Sequence, residues 1–169
     1  MLFAIDVYYY EDSAKIVGVL FDWKDQVPQR FIVIQTDKAD DYVPGEFYKR
    51  ELPCLLKIIN EVDICEIEAI IVDGHIYIEE GLHGLGGKLY EALDQQVPII
   101  GVAKNSFHSN KSTIKEVYRC ESKKPLYVSS IGLPVEGVAE KVLNMSGKFR
   151  IPDILKQLDT CTKDRVSNS

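Results

Sequence analysis

Three acidic residues stand where the local pattern makes a carboxylate either costly or useful. Asp6 interrupts the apolar run Phe3-Ala4-Ile5-Asp6-Val7-Tyr8, and a carboxylate inside a core strand is expensive to ionise unless a cation or hydrogen bonds compensate. Asp73 follows Ala69-Ile70-Ile71-Val72, and ligands bind at the carboxyl ends of strands in open α/β sheets. Glu51 lies among Lys49, Arg50 and Leu52 near the start of a predicted helix, where the macrodipole favours an acid. Each has a plain alternative: an Asp on the solvent face of an alternating strand, an Asp-Gly turn, a solvated helix residue. Together they match one chemistry. Hard divalent cations take oxygen ligands, and Mg²⁺ is usually held by one or two carboxylates plus a substrate phosphate. Two such ions flanking a phosphodiester activate water and stabilise the leaving oxygen.

The composition narrows the class of protein. Twenty Lys and Arg against 26 Asp and Glu give a net charge of −6 over 169 residues, whereas a bulk phosphate binder would be basic. An enzyme that gathers part of its acid around metal ions fits that balance. With 46% hydrophobic and 27% charged residues, the chain is globular in character and long enough for one self-sufficient core. The cysteines at 54, 65, 120 and 161 form no CxxC pair, so buried thiols in a reducing cytoplasm are expected rather than a zinc site. No apolar run reaches the roughly 18 residues of a membrane span. Met1 to Tyr10 has no basic leader and carries Asp6 within its apolar stretch, unlike a secretory signal. A cytoplasmic protein without a membrane partner is expected.

The elements that must position the acids follow from periodicity. Leu2 to Tyr10, Lys15 to Phe21 and Arg30 to Gln35 read as strands of an opening meander, with Pro28 barring continuity before the third. Apolar residues at 47, 52, 55, 56, 59 and 62 predict a helix over Phe47 to Val62, beginning at or kinked by Pro53. Ala69 to Val72 and Val97 to Ala103 read as buried strands, and Leu85 to Leu93 as a helix between them. Ile114 to Val117 and Leu126 to Ile131 are weaker strands, while Pro134 to Leu143 and Ile151 to Leu158 read as helices. The order predicts a three-layer α/β domain around a mixed sheet, spanning 1–160, with 161–169 as a frayed tail.

Several motifs along this framework resemble the endonuclease V family. Ala4-Ile5-Asp6-Val7-Tyr8-Tyr9 is similar to that family's first-strand motif. Tyr42-Val43-Pro44-Gly45, running on to Arg50-Glu51-Leu52-Pro53, resembles its wedge and second acidic motif. Val72-Asp73-Gly74, Ile99-Ile100-Gly101-Val102-Ala103-Lys104, Leu126-Tyr127-Val128-Ser129 with Gly132, and Ile151-Pro152-Asp153 with Asp159 follow in the family's order. The resemblance implies an RNase H-like fold and a Mg²⁺-dependent endonuclease, with Mn²⁺ as a possible substitute. The implied substrate is DNA or RNA holding a deaminated purine (hypoxanthine or inosine), cut on its 3′ side. It implies Asp6, Glu51, Asp73 and Asp159 as metal-binding acids and Lys104 as a positive charge on the phosphate. Tyr42, Val43, Pro44 and Gly45 would form an apolar wedge between bases, and Gly84 and Leu85 would line the pocket for the extruded base.

The chain departs from the family pattern after the third acid. Asp73-Gly74-His75-Ile76-Tyr77-Ile78-Glu79-Glu80 lacks a second glycine, Glu79 occupies a histidine position, and Lys88 stands where a second histidine is usual. His75 and His83 read as structural or rim residues. Acids at 79 and 80 would repel a phosphate path, which gives an alternative: a degenerate member that binds nucleic acid or a protein partner without cleavage.

Overall fold

The computed structural model describes residues 1–37 and 47–164, the side chain of residue 47 excepted. β1 (Leu2–Tyr9), β2 (Ser13–Phe21) and β3 (Arg30–Asp37) form the expected antiparallel meander. β2 is buried along almost its whole length, and Gly18 shows why a side chain is missing at its centre. A Cβ there would come to 2.3 Å from the Phe3 ring and 3.2 Å from Ile58.

α1 (Phe47–Ile59) passes through Pro53 rather than starting at it. Proline lacks the N–H that an interior helical position donates, yet a helix held down on a core face tolerates that loss. Leu55, Ile58 and Ile59 fix α1 to the sheet with Phe3, Ile5, Ile70 and Val72. β4 (Ala69–Asp73) and β7 (Ile99–Ala103) are short, buried strands joined through α2 (Leu85–Ala92). β8 (Lys115–Val117) and β9 (Leu126–Ile131) complete a seven-stranded sheet in the order β3-β2-β1-β4-β7-β9-β8. β1, β4 and β7 run parallel, and the other pairings are antiparallel, giving the mixed sheet expected.

α1 and α2 cover one face, packing against Ile70, Val72 and Ile99. α3 (Val135–Leu143) and α4 (Asp153–Lys163) cover the other, with Val138, Val142, Ile154 and Leu158 against Ala4, Val17, Ile71 and Ile100. The layers are therefore helix, sheet and helix, as expected. Two features carry no periodic signal and were not anticipated. A small hairpin of β5 (Tyr77–Glu79) and β6 (Leu82–His83) turns through Glu80-Gly81, and a 3₁₀ segment covers His108–Thr113.

One expectation is corrected at the C-terminal end. The tail expected to fray from residue 161 is helical as far as Lys163, with Thr162 fully buried, and residues 165–169 lie outside the described residues. The buried Lys15 on β2 holds that last turn, donating from Nζ to the carbonyls of Cys161 at 2.6 Å and Asp164 at 2.8 Å. A cation at a helix C-terminus meets carbonyls that have no partner within the helix. The cysteines are all free, but only Cys54 is buried; Cys65 and Cys120 are exposed.

Candidate functional site

Register places the acids. Ile5 pairs with Val72 at the last rung of the parallel β1–β4 ladder, so Asp6 and Asp73 stand side by side where that pairing ends, β4 stopping at Asp73 while β1 runs on to Tyr9. Asp73 pairs in turn with Val102 of β7, and Lys104 follows just beyond the end of that strand. Three parallel strands thus deliver two carboxylates and an ammonium to the edge where their mutual pairing stops, at the carboxyl ends of β4 and β7, the usual ligand edge of an α/β sheet. α4 crosses the same face and adds Asp159, so Asp6, Asp73, Lys104 and Asp159 line one cleft floored by Ala4, Leu126 and Leu158. Glu51 reaches the strand ends from the α1 layer on the opposite face.

The electrostatics show that these groups are close. Burial pushes the Glu51 carboxyl up to about 7, and the charges of Asp73 and Asp6 push in the same direction, with Arg50 opposing. Burial also holds the Asp6 carboxyl above its ordinary value; Asp73 and Asp159 add to this, while a hydrogen bond from Thr162 counters it. Asp73 is solvent-accessible at the cleft mouth, but the enclosing protein and Asp159 still raise its carboxyl against Lys104 and Lys163. Its water contact screens those influences, so Glu51 is the stronger anomaly. Like charges confined together are what a divalent cation relieves.

Both oxygens of Asp6 are already held. Thr162 donates its hydroxyl to Oδ2 at 2.7 Å and the Val7 amide donates to Oδ1 at 3.0 Å. Thr162 was not anticipated, since it falls in the expected tail. The signal was present in the sequence: Leu155, Leu158 and Thr162 continue one helical face at spacings of three and four. Lys163 pairs with Asp159 at 2.9 Å. Arg150, also unanticipated, donates from Nη2 to the Lys104 carbonyl at 2.5 Å and to the Pro125 carbonyl at 2.6 Å. It thereby fixes the backbone from which the cleft lysine projects.

The donor set consists of carboxylates alone, with no thiol or imidazole, and fits a hard cation such as Mg²⁺ or Mn²⁺ in its chemistry. As the side chains stand, no three metal-binding residues enclose a coordination site among the described residues. The remaining candidates lie elsewhere. Tyr42, Val43, Pro44 and Gly45 fall outside the described residues. Gly84 and Leu85 are buried at the start of α2, where the Gly84 amide donates to the Ile76 carbonyl at 2.7 Å. A Cβ on Gly84 would meet the His75 carbonyl at 2.9 Å, so packing alone already requires glycine there. His75 is buried and bonds Asn105 through Nε2 at 2.7 Å, and burial lowers its basicity; His83 pairs with Glu91. Neither histidine lines the cleft. Glu79 and Glu80 are exposed on the small hairpin and do not line it either.

Comparison with known proteins decides the ancestry of this arrangement. The family model for endonuclease V matches residues 1–160. The chain belongs to the endonuclease V family. An endonuclease V of Pyrococcus horikoshii is 29% identical over 165 residues, covering 96% of this chain and 73% of that protein. An endonuclease V of Sulfolobus acidocaldarius is 29% identical over 109 residues, and the match spans only about half of that relative, 52% of its length. Among solved structures, human endonuclease V superposes with a TM-score of 0.75 at 20% identity, covering 96% of this chain and 82% of that one. Endonuclease V (D234N) of Ciona intestinalis, solved with a 23mer DNA containing an inosine followed by a ribo-adenosine, gives a TM-score of 0.79 at 15% identity, with coverages of 96% and 83%. At those identities the superpositions establish the shared RNase H-like fold of endonuclease V, and the cleft lies at its strand ends.

Proposed function

We propose that this endonuclease V family member is a Mg²⁺-dependent endonuclease, with Mn²⁺ able to substitute, that hydrolyses a phosphodiester near a deaminated purine in DNA or RNA. The observation that carries the reading is the meeting of Asp6, Asp73, Asp159 and Lys104 in one cleft, with Glu51 alongside. Inosine-containing DNA bound to the Ciona relative supports the substrate class, and the family match supports the reaction.

Asp6, Asp73 and Asp159 would hold the divalent ion, which supplies positive charge at the phosphate and acidifies a water. Thr162 and the Val7 amide keep the Asp6 carboxylate oriented while it does so. Glu51 suits a proton acceptor for the attacking water, because its carboxyl titrates near neutrality. The water gives a proton to Glu51 as its oxygen adds to phosphorus, the bond to the 3′ oxygen breaks, and that oxygen leaves as an alkoxide that takes up a proton from solvent. Lys104 places a point charge beside the phosphate throughout. Tyr42, Val43, Pro44 and Gly45 are assigned the wedge, and Gly84 and Leu85 the base pocket.

The test is incubation with inosine-containing single- and double-stranded DNA and RNA in Mg²⁺ or Mn²⁺. Cleavage near the inosine, abolished in Asp6→Ala and Asp73→Ala, is expected. Tight binding without metal-dependent cutting would instead favour a non-cleaving member, the reading to which the exposed Glu79 and Glu80 lend weight.

A further inference from the structure

Phe149 is 76% exposed, more than any other large apolar side chain among the described residues. Its backbone is nevertheless fixed from beneath. Arg119, only 1% exposed, donates from Nη1 to the Phe149 carbonyl at 2.8 Å and from Nη2 to the Met145 carbonyl at 2.6 Å. Gly147, at φ +126°, lets the same loop close over the first turn of α4, where a Cβ would meet the Asp153 carboxyl at 2.7 Å. The next residue, Arg150, clamps the carbonyls of Lys104 and Pro125, and Ile151 lines the cleft. The loop therefore presents a bare aromatic ring on an anchored backbone, one residue from the anchor of Lys104. A ring presented this way costs little ordering when something stacks on it.

The charge around it selects the occupant. In a chain of net charge −6, this corner exposes Lys123, Lys124 and Lys148 beside Phe149, with Arg150 half-buried, against the exposed Glu121 and the half-buried Asp153 next to Gly147. Aromatic rings set among cations match a single nucleic-acid strand, whose bases stack while its phosphates pair with the lysines. We propose that Phe149 is a stacking platform for an unpaired base of the strand that threads the cleft, with Lys148 and Lys124 on its phosphates. The proposal rests on the nuclease reading for the strand's direction of travel, and it assigns a contact that the acidic centre does not supply.

Binding of a fluorescein-labelled oligothymidylate to the full chain, with metal chelated, tests it. An undamaged strand isolates the platform from any recognition of a deaminated base. Phe149→Ala is expected to weaken binding about ten-fold or more with an unchanged Tm, while Phe149→Tyr retains it. Phe149→Trp is expected to bind normally and to show emission quenched by the strand, read against the native Trp23. Binding unaffected by Phe149→Ala, or indole emission from the Phe149→Trp variant that stays unquenched on saturation, overturns the platform and leaves the nuclease reading standing. Phe149-dependent binding with no cleavage of inosine strands supports the platform and overturns the nuclease reading. Absence of any strand binding, or capture of anionic lipid vesicles or a second copy of the chain in its place, overturns the proposal.

Discussion

Glu51 and Thr162 do opposite things to charge, and each makes a measurable difference. The Glu51 carboxyl titrates at about 7 in the folded chain against 4.5 when free of its surroundings, so the folded state binds that proton more tightly than the unfolded one. The contribution of Glu51 to stability in chelator should be fully present below about pH 4.5 and be lost as pH rises to about 7, by roughly 3 kcal/mol at most. Glu51→Gln should flatten this slope in denaturant titrations at several pH values; an unchanged slope would place the anomaly elsewhere. Thr162→Val removes only the hydroxyl that steadies Asp6. Loss of such outer partners typically weakens metal affinity about 10- to 100-fold, so calorimetric Mn²⁺ titration should show that loss, with recovery in Thr162→Ser. At this scale the sequence was informative about acids and silent about their hydrogen-bond partners. Asp6 and Asp73 were legible because apolar runs frame them; the helical spacing of Thr162 with Leu155 and Leu158 placed it on a buried face without naming its partner, and an arginine such as Arg150, which acts through distant carbonyls, leaves no local pattern.

At the scale of elements, α4 shows what periodicity can miss. Its end was expected at Leu158, with a frayed tail from 161, but the buried stripe of Leu158 and Thr162 carries the helix on to Lys163. Lys15, a charged residue inside an otherwise apolar strand, supplies the cap. Lys15→Met keeps the packing length but leaves the carbonyls of Cys161 and Asp164 unpaired, at a cost of about 1–3 kcal/mol. Hydrogen exchange should rise first across the end of α4 and only weakly in β1; uniform loss of protection would contradict a local capping role. The Glu79–Glu80 hairpin went unseen for the converse reason. Strands of two or three residues are too short to display a period.

For the molecule as a whole, the strand order and helix faces followed from alternating apolar blocks, which is why the three-layer architecture was legible throughout. The convergence of the acids was not, since it depends on the parallel register of β1 with β4 and on α4 crossing above them. If that cleft takes a divalent ion, folding and binding are linked. Mg²⁺ at about a hundred times its Kd should raise global stability by roughly 2.7 kcal/mol, seen as a higher Tm that Asp6→Asn or Asp73→Asn removes. An equal rise in those variants would mean the ion binds elsewhere. The hydroxyl of Thr162 meets an acid 156 positions earlier in the chain, and this dictates when competence can arise during synthesis. Domains fold as they emerge from the ribosome, amino end first. A nascent polypeptide whose α4 is still inside the exit tunnel could assemble its sheet yet lack Asp159 and the Thr162 hydroxyl beside Asp6, so a chain stalled at that point should bind Mn²⁺ less tightly than one with α4 released.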